Sequence, residues 1–148
     1  MNIKLSHIGL LVSDIEATKK FYCDLLGYEE IFHCDKDGQS FMYYLKNRDD
    51  EYLEIFDKAH GAAGFPPQNV QHYCYLVDDL QETGRYFQEK GYKVYYLPSY
   101  TGQEAPIPFV PRIGVDNSCV CFIVDPDGNE VEFMQYTKDS LQFNKPKS

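Results

Sequence analysis

The stretch HIGLLVSDIEATKKFYCDLLGY, residues 7–28, decides the fold because the chain repeats its pattern as HYCYLVDDLQETGRYFQEKGY, residues 72–92. In both copies a valine lies five residues after the first histidine, and an aspartate lies seven residues after it. Each copy then reaches a Gly-Tyr pair, at Gly27 and at Gly91, after a helix-length segment. A repeat of about 65 residues is too long for a solenoid unit and predicts two related modules.

Alternating polarity, helix caps and turn residues give each module the order βαβββ. The strands of the first module are predicted at residues 3–12, 28–34, 40–46 and 51–56. Those of the second are predicted at residues 71–77, 92–97, 118–124 and 130–136. The helices begin at Ser13 or Asp14 and at Asp79, and they end at Gly27 and Gly91. Ala17, Phe21 and Leu25 recur at i+4 and predict the core-facing stripe of the first helix.

These elements predict an α+β fold in a single domain, residues 1–148. Module one covers residues 1–57, a Gly- and Pro-containing linker covers 58–70, module two covers 71–136, and a polar tail covers 137–148. We expect the modules to form one curved, mixed, eight-stranded sheet with the helices on its outer face. The second module has an additional Pro-rich loop at residues 98–114, a length that is often functional in compact domains.

Composition and charge exclude several classes of partner. The net charge of −9 leaves no basic patch for nucleic acid or for an anionic membrane surface. Five cysteines without a CxxC motif predict reduced thiols rather than a disulfide framework. The first residues do not resemble a signal peptide, and no stretch is apolar enough to span a membrane. We therefore expect a cytoplasmic protein.

Two histidines and two glutamates occupy equivalent places in the repeat. His7 and His72 open the two copies, and each copy ends in a strand with a glutamate among apolar residues, Glu54 in YLEIF and Glu132 in EVEFM. Strand parity turns these glutamates away from the apolar residues beside them, toward the concave face. A carboxylate there is costly to bury unless a charge compensates it. Two imidazoles and two carboxylates are a common ligand set for a divalent metal ion.

Each of these residues has an ordinary interpretation when it is taken singly. A histidine at the start of a strand is more often a solvated or hydrogen-bonded structural residue, and a glutamate on a strand more often faces solvent. The equivalence of the pairs favours the metal-site interpretation, because chance does not easily place four such residues at matching positions. We therefore predict His7, Glu54, His72 and Glu132 as metal ligands.

The chain resembles the vicinal oxygen chelate superfamily, the glyoxalase, bleomycin-resistance and extradiol dioxygenase group, over nearly all of residues 3–136. The resemblance rests on the two repeated segments, the YLEIF strand and above all DPDGNEVEF, residues 125–133. The complete His-Glu-His-Glu set is most similar to glyoxalase I-like proteins. It implies a homodimer with a divalent ion, which is nickel, zinc, cobalt or manganese. It also implies a lyase or isomerase that moves a proton next to a metal-bound carbonyl, with Glu132 or Glu54 as the base.

Three departures separate this chain from glyoxalase I itself. Leu11 stands where those proteins commonly carry an arginine that holds glutathione, Lys58 stands where they carry an asparagine, and the loop at residues 98–114 is long. A different small oxygenated substrate, such as a keto-sugar or hydroxy-ketone, is therefore expected. Arg112 is a candidate partner for a substrate anion, although an exposed, solvated arginine is the more ordinary interpretation. Tyr52 and Met134 fall on the concave faces and are candidate pocket residues.

Two other functions remain open at this point. An iron-dependent oxygenase would use two histidines and one carboxylate, but the fourth ligand would take a position that oxygen and substrate need. A metal-free binding or resistance protein on the same fold would not need the four residues intact. Metal-dependent proton transfer is the function that the sequence favours.

Overall fold

The computed structural model describes residues 7–58, 70 and 72–141. The chain divides into two compact units, residues 1–68 and 69–148, and each unit has its own hydrogen-bonded sheet. Residues 3–6 of the first predicted strand, most of the predicted linker and residues 142–148 of the predicted tail lie outside the described residues. Within the described part of the chain, no helix is long and apolar enough to cross a membrane.

The first unit has the predicted order of one strand, one helical segment and three strands. Its elements are β1 (His7–Val12), α1 (Ile15–Lys19) with a π-helical continuation (Lys20–Leu25), β2 (Glu29–Lys36), β3 (Gln39–Lys46) and β4 (Tyr52–Asp57). The sheet order is β1-β4-β3-β2, with β1 parallel to β4 and the other pairs antiparallel. The helical segment between β1 and β2 lets β1 and β4 run parallel.

The second unit repeats this plan with three strands. Its elements are β5 (His72–Leu76), α2 (Leu80–Glu89), a 3₁₀ turn (Ser99–Thr101), β6 (Cys119–Val124) and β7 (Glu130–Gln135). The sheet order is β5-β7-β6, with β5 parallel to β7 and β6 antiparallel to it. Two mixed sheets with helices confirm the α+β class. The described residues form seven strands where eight are predicted, and the union of the two sheets into one curved surface stays a prediction.

The predicted strand at residues 92–97 is wrong. Only Tyr95 bridges to the sheet, through a reciprocal pair of backbone hydrogen bonds with Phe122. The next residue turns elsewhere, because the N–H of Tyr96 donates to the carbonyl of Gln103 at 2.9 Å. The long loop after residue 97 thus takes the backbone partners that a continuous strand would need.

The helix of the first unit also departs from its predicted stripe. Phe21 is buried as expected, but Ala17 and Leu25 are only half-buried, while Tyr22 is fully buried. The helix changes from α to π geometry at Lys20–Leu25. A π turn accommodates an additional residue per turn, so a stripe spaced at i+4 rotates out of phase with the core.

The apolar faces of the two glutamate-bearing strands pack as the alternation predicts. Leu53 and Ile55 are buried on β4, and Val131 and Phe133 are buried on β7. In the second unit the Phe133 ring meets Phe87 of α2 with ring centroids 4.7 Å apart. This packing leaves the opposite face of each strand for the glutamate side chain.

The middle of the loop at residues 98–114 is docked on α2. Phe109 is fully buried, and its ring lies where a Cβ at Gly84 would come within 2.3 Å of Cδ1. The Phe109 N–H donates to Oε1 of Gln88 at 2.7 Å, and Nε of Arg85 donates to the Phe109 carbonyl at 3.1 Å. The loop is therefore anchored to the core at this point.

Candidate functional site

His7 and Glu54 form a pair in the first unit. β1 and β4 are parallel with Gly9 opposite Glu54, so the glutamate is in register with the residue two positions after the histidine. Nε2 of His7 lies 3.3 Å from Oε2 of Glu54. Gly9 places no side chain beside this carboxylate, and a Cβ built there would lie 4.0 Å from Oε2.

His72 and Glu132 form the equivalent pair in the second unit. β5 and β7 are parallel with Cys74 opposite Glu132, again two positions after the histidine. Nε2 of His72 lies 2.9 Å from Oε2 of Glu132. The repeat therefore extends to the strand register. In each unit it also places one imidazole nitrogen close to one carboxylate oxygen.

An aromatic ring adjoins each pair on the neighbouring strand. Tyr44 is the cross-strand partner of Glu54, and Phe122 is that of Glu132. Each ring meets the histidine of its unit edge to face, with centroids 5.6 Å and 5.8 Å apart. In both copies the aromatic precedes the glutamate by ten residues. Sequence reasoning missed this spacing, which adds a further matching position to the repeat.

The two glutamates differ in their surroundings. The Glu132 side chain is 11% exposed and the Glu54 side chain is 23% exposed. Burial raises the pKa of Glu132, while the His72 ring and the Cys74 thiol favour its charged form. Burial and the Glu132 carboxylate together raise the pKa of Cys74 to about 12. The thiol is therefore protonated at neutral pH and is a poor nucleophile there.

The donor atoms of each pair fit a divalent metal ion. Two ligand atoms, each about 2.1 Å from one ion and separated by 90–109° around it, lie roughly 3.0–3.4 Å apart. The two observed nitrogen-to-oxygen distances, 3.3 Å and 2.9 Å, are close to this range. The 2.9 Å contact also has the length of a hydrogen bond from an imidazole N–H to a carboxylate, whereas the 3.3 Å contact is longer than such a bond usually is.

Each unit by itself brings together two of the four predicted ligands. In residues 7–58, 70 and 72–141 no group of three or more His, Cys, Asp or Glu side chains is arranged to hold a metal ion. The complete set of His7, Glu54, His72 and Glu132 therefore stays a prediction.

A cavity of about 730 Å³ adjoins the pair in the second unit. His72, Cys74 and Glu132 line it together with Arg112, at the end of the long loop, and Asp116, just after it. The rest of its wall is mainly apolar, from Leu97, Ile113, Val115, Val120, Phe122 and Met134. This volume is typical of small-molecule sites, which are mostly apolar with a few polar groups.

The three residues predicted to contact substrate lie in different settings. Arg112 and Met134 line the cavity of the second unit. Tyr52 lies in the first unit, opposite His7 in the strand register, and its ring centroid is 5.8 Å from that of Tyr44. Their roles toward a substrate stay predictions.

Glu130 anchors the start of the long loop. Its buried carboxylate accepts hydrogen bonds from the hydroxyl of Ser99 and, at 3.0 Å, from the Ser99 N–H. Sequence reasoning gave Glu130 no role. Its partner comes from a distant loop, and no local pattern reveals such a contact.

A family model described as the Glyoxalase/Bleomycin resistance protein/Dioxygenase superfamily matches residues 4–133. The chain belongs to this superfamily. The match covers both repeats and ends one residue beyond Glu132, so the resemblance predicted from the repeat and the DPDGNEVEF segment is confirmed. Enzymes of the superfamily act on small-molecule substrates, and its members generally use divalent metal ions.

Individual similarities within the superfamily are more distant. A probable lactoylglutathione lyase of Synechocystis sp. is 26% identical over 140 residues, which cover 88% of this chain and 94% of that protein. The crystal structure of a glyoxalase family protein from Enterococcus faecalis superposes with a TM-score of 0.67 at 22% identity, covering 88% of this chain and 96% of the other. An antibiotic-binding protein from Streptomyces sp. CB03234, TnmS3, superposes with a TM-score of 0.65 at 20% identity, covering 93% and 99%. The two structures share the fold with this chain.

Proposed function

We propose that this superfamily member is a divalent-metal-dependent lyase or isomerase of glyoxalase I-like type. It would transfer a proton next to a carbonyl of a small oxygenated substrate. The observation that carries the proposal is the pair of equivalent His–Glu contacts, His7 with Glu54 and His72 with Glu132, in the same strand register of both units.

His7, Glu54, His72 and Glu132 are the proposed ligands of one ion, which is nickel, zinc, cobalt or manganese. Two carboxylates offset the charge of a divalent cation, and neutral imidazoles complete a donor set that suits these metals. When bound, the ion supplies Lewis acidity toward neighbouring substrate oxygens.

Glu132 is the first candidate for the base because it lines the cavity of the second unit. A Glu132 carboxylate oxygen would take the proton from the carbon next to the carbonyl and return it to the neighbouring carbon. The product is then an isomer of the substrate, and no oxidant or reductant is consumed. Glu54 is the other candidate.

We also propose that the protein is a homodimer, in keeping with the resemblance. The two pairs would complete one ion site either within a chain or between two copies. Light scattering of the purified protein should give twice the chain mass of 17.2 kDa. A monomeric mass would contradict the dimer and leave only the assembly within one chain.

Substrate screening by hydrogen–deuterium exchange tests the proposed activity. Protein loaded separately with nickel, zinc, cobalt or manganese should exchange a C–H proton of at least one hydroxy-ketone, keto-sugar or glutathione hemithioacetal in deuterated water. Chelation should abolish this exchange, and restoring the metal should recover it. Exchange that chelation leaves unchanged would contradict the proposal. Oxygen consumption by the iron-loaded protein without any exchange would support an oxygenase in its place.

A further inference from the structure

Arg112 is a cation held at the wall of the cavity. Its guanidinium carbon lies 3.8 Å from the centroid of the Tyr96 ring. The Tyr96 hydroxyl donates to the Val110 carbonyl, and its ring lies against the buried Phe109 with centroids 5.8 Å apart. A ring that covers one face of a guanidinium leaves the N–H groups in its plane available. Arg112 is thus held by a ring that is itself anchored to the core.

The charged side chains around the cavity differ in whether they already have a partner. Among the residues that the structure describes, no carboxylate oxygen lies within ion-pair distance of Arg112. Asp116 accepts the N–H of Ser118 at 3.1 Å, and Glu132 pairs with His72. The Arg112 guanidinium can therefore pair with one anionic group of a ligand. Asp116 and Glu132 would repel a second anionic group.

The remaining wall sets the character of the rest of the ligand. Val120, Phe122 and Met134 come from β6 and β7, while Ile113 lies in the long loop and Leu97 and Val115 flank it. Such a wall gains free energy by removing apolar surface from water, and it offers few partners to a hydroxylated chain. The cavity of about 730 Å³ has room for a ring and a short chain.

We infer that the substrate is an oxygenated monocarboxylate with a ring-sized apolar body. Its carboxylate would be held by Arg112, its apolar body by the β6–β7 wall, and its carbonyl end would lie near His72 and Glu132. This inference rests on the proposed function for the identity of the reacting end. It narrows the range of candidate substrates to apolar keto acids and hydroxy acids and disfavours hydroxylated sugars.

Three matched probes test this class by calorimetric titration: benzoylpropionate, its neutral methyl ester, and levulinate, in which a methyl group replaces the phenyl ring. We expect benzoylpropionate to bind about 10- to 100-fold more tightly than either of the others, because it alone supplies both the charged hydrogen bonds and the apolar burial. Equal affinity for the acid and its ester would overturn the inference.

Variants locate the two contacts. Arg112→Gln should lower benzoylpropionate affinity about 10- to 100-fold and leave ester affinity unchanged, and Arg112→Lys should recover part of the loss. Arg48→Gln removes the same charge from an exposed site in the first unit and should change neither affinity. Val120→Phe should lower the affinity for benzoylpropionate more than that for levulinate, because the larger side chain occupies space in the cavity that the phenyl ring needs. An equal loss of affinity for benzoylpropionate and for its ester in Arg112→Gln would overturn the assigned contact.

The titrations are run with metal-loaded and with chelated protein, so that the two proposals fail separately. Charge discrimination at Arg112 in a protein that binds no metal would refute the proposed function and keep the ligand class. Metal binding with no preference for the carboxylate would refute the ligand class and keep the proposed function.

Discussion

Glu132→Gln is expected to lower the rate of substrate C–H exchange by about 10²–10⁴-fold, the usual contribution of a general base. The amide keeps the shape and one oxygen of the carboxylate, but it cannot take a proton. The variant is measured by deuterium exchange on the substrate that the screen identifies. Its metal content is measured alongside, because Glu132 is also a proposed ligand.

Matched variants separate the base from the other carboxylates. Asp49→Asn removes a carboxylate from an exposed site outside the cavity and should change the exchange rate by less than about tenfold, since the effects of exposed charges are small. Glu54→Gln tests the other candidate base. Retained exchange in Glu132→Gln, with exchange lost in Glu54→Gln, would transfer the role to Glu54. Retained exchange in both variants would contradict a glutamate base.

Phe109→Ala is expected to lower the free energy of unfolding by about 3–5 kcal/mol, the usual cost of removing a fully buried aromatic side chain. Phe109 fills the space above Gly84. In the variant a void would remain there, and Gly84 has no side chain that could move into it. Denaturant unfolding followed by circular dichroism measures the change.

The exposed Ile107 in the same loop provides the control for this substitution. Its side chain is 80% exposed, so Ile107→Ala should change the free energy of unfolding by no more than about 0.5 kcal/mol. Because Phe109 also lies against Tyr96, Phe109→Ala should weaken benzoylpropionate binding as Arg112 loses its support. A cost near that of Ile107→Ala would show that the loop is not anchored at Phe109.

The elements that the sequence predicts well are those that carry a strict period. Alternation assigned Leu53 and Ile55 to the buried face of β4 and Val131 and Phe133 to that of β7, and the structure confirms both. Asp14 caps the first helix as one of two predicted candidates, through a 3.0 Å hydrogen bond from the Ala17 N–H. These features depend on residues that are close together in the sequence, so the sequence alone predicts them.

The elements that the sequence predicts poorly depend on distant partners. The strand at residues 92–97 has a suitable composition, but the loop at Gln103 takes the backbone hydrogen bond of Tyr96. The burial of Phe109 requires a glycine on α2, at Gly84, which no pattern around Phe109 reveals. Tyr44 and Phe122 were predictable in principle, since each precedes its glutamate by ten residues. Their significance emerges when the strand register is known.

Membership of the superfamily sets the fold and leaves the chemistry to the site. The chain is similar both to a probable lactoylglutathione lyase and to an antibiotic-binding protein, so overall likeness does not choose between catalysis and binding. The two His–Glu pairs favour the proposed metal-dependent catalysis, because a metal-free binding protein would not need the matching donor atoms. Leu11 and Lys58 continue to argue against glutathione as the substrate.

Metal content is the measurement that tests the central claim most directly. Purified wild-type protein, reconstituted and dialysed, is compared by elemental analysis with His7→Ala, Glu54→Ala, His72→Ala and Glu132→Ala. His33→Ala serves as the control, because His33 also contacts a glutamate, Glu30 at 3.4 Å, without a counterpart in the repeat. We predict one ion per site in the wild type and in the control, and a reduced metal content or affinity in all four variants. Unchanged metal binding across the four variants would contradict the account.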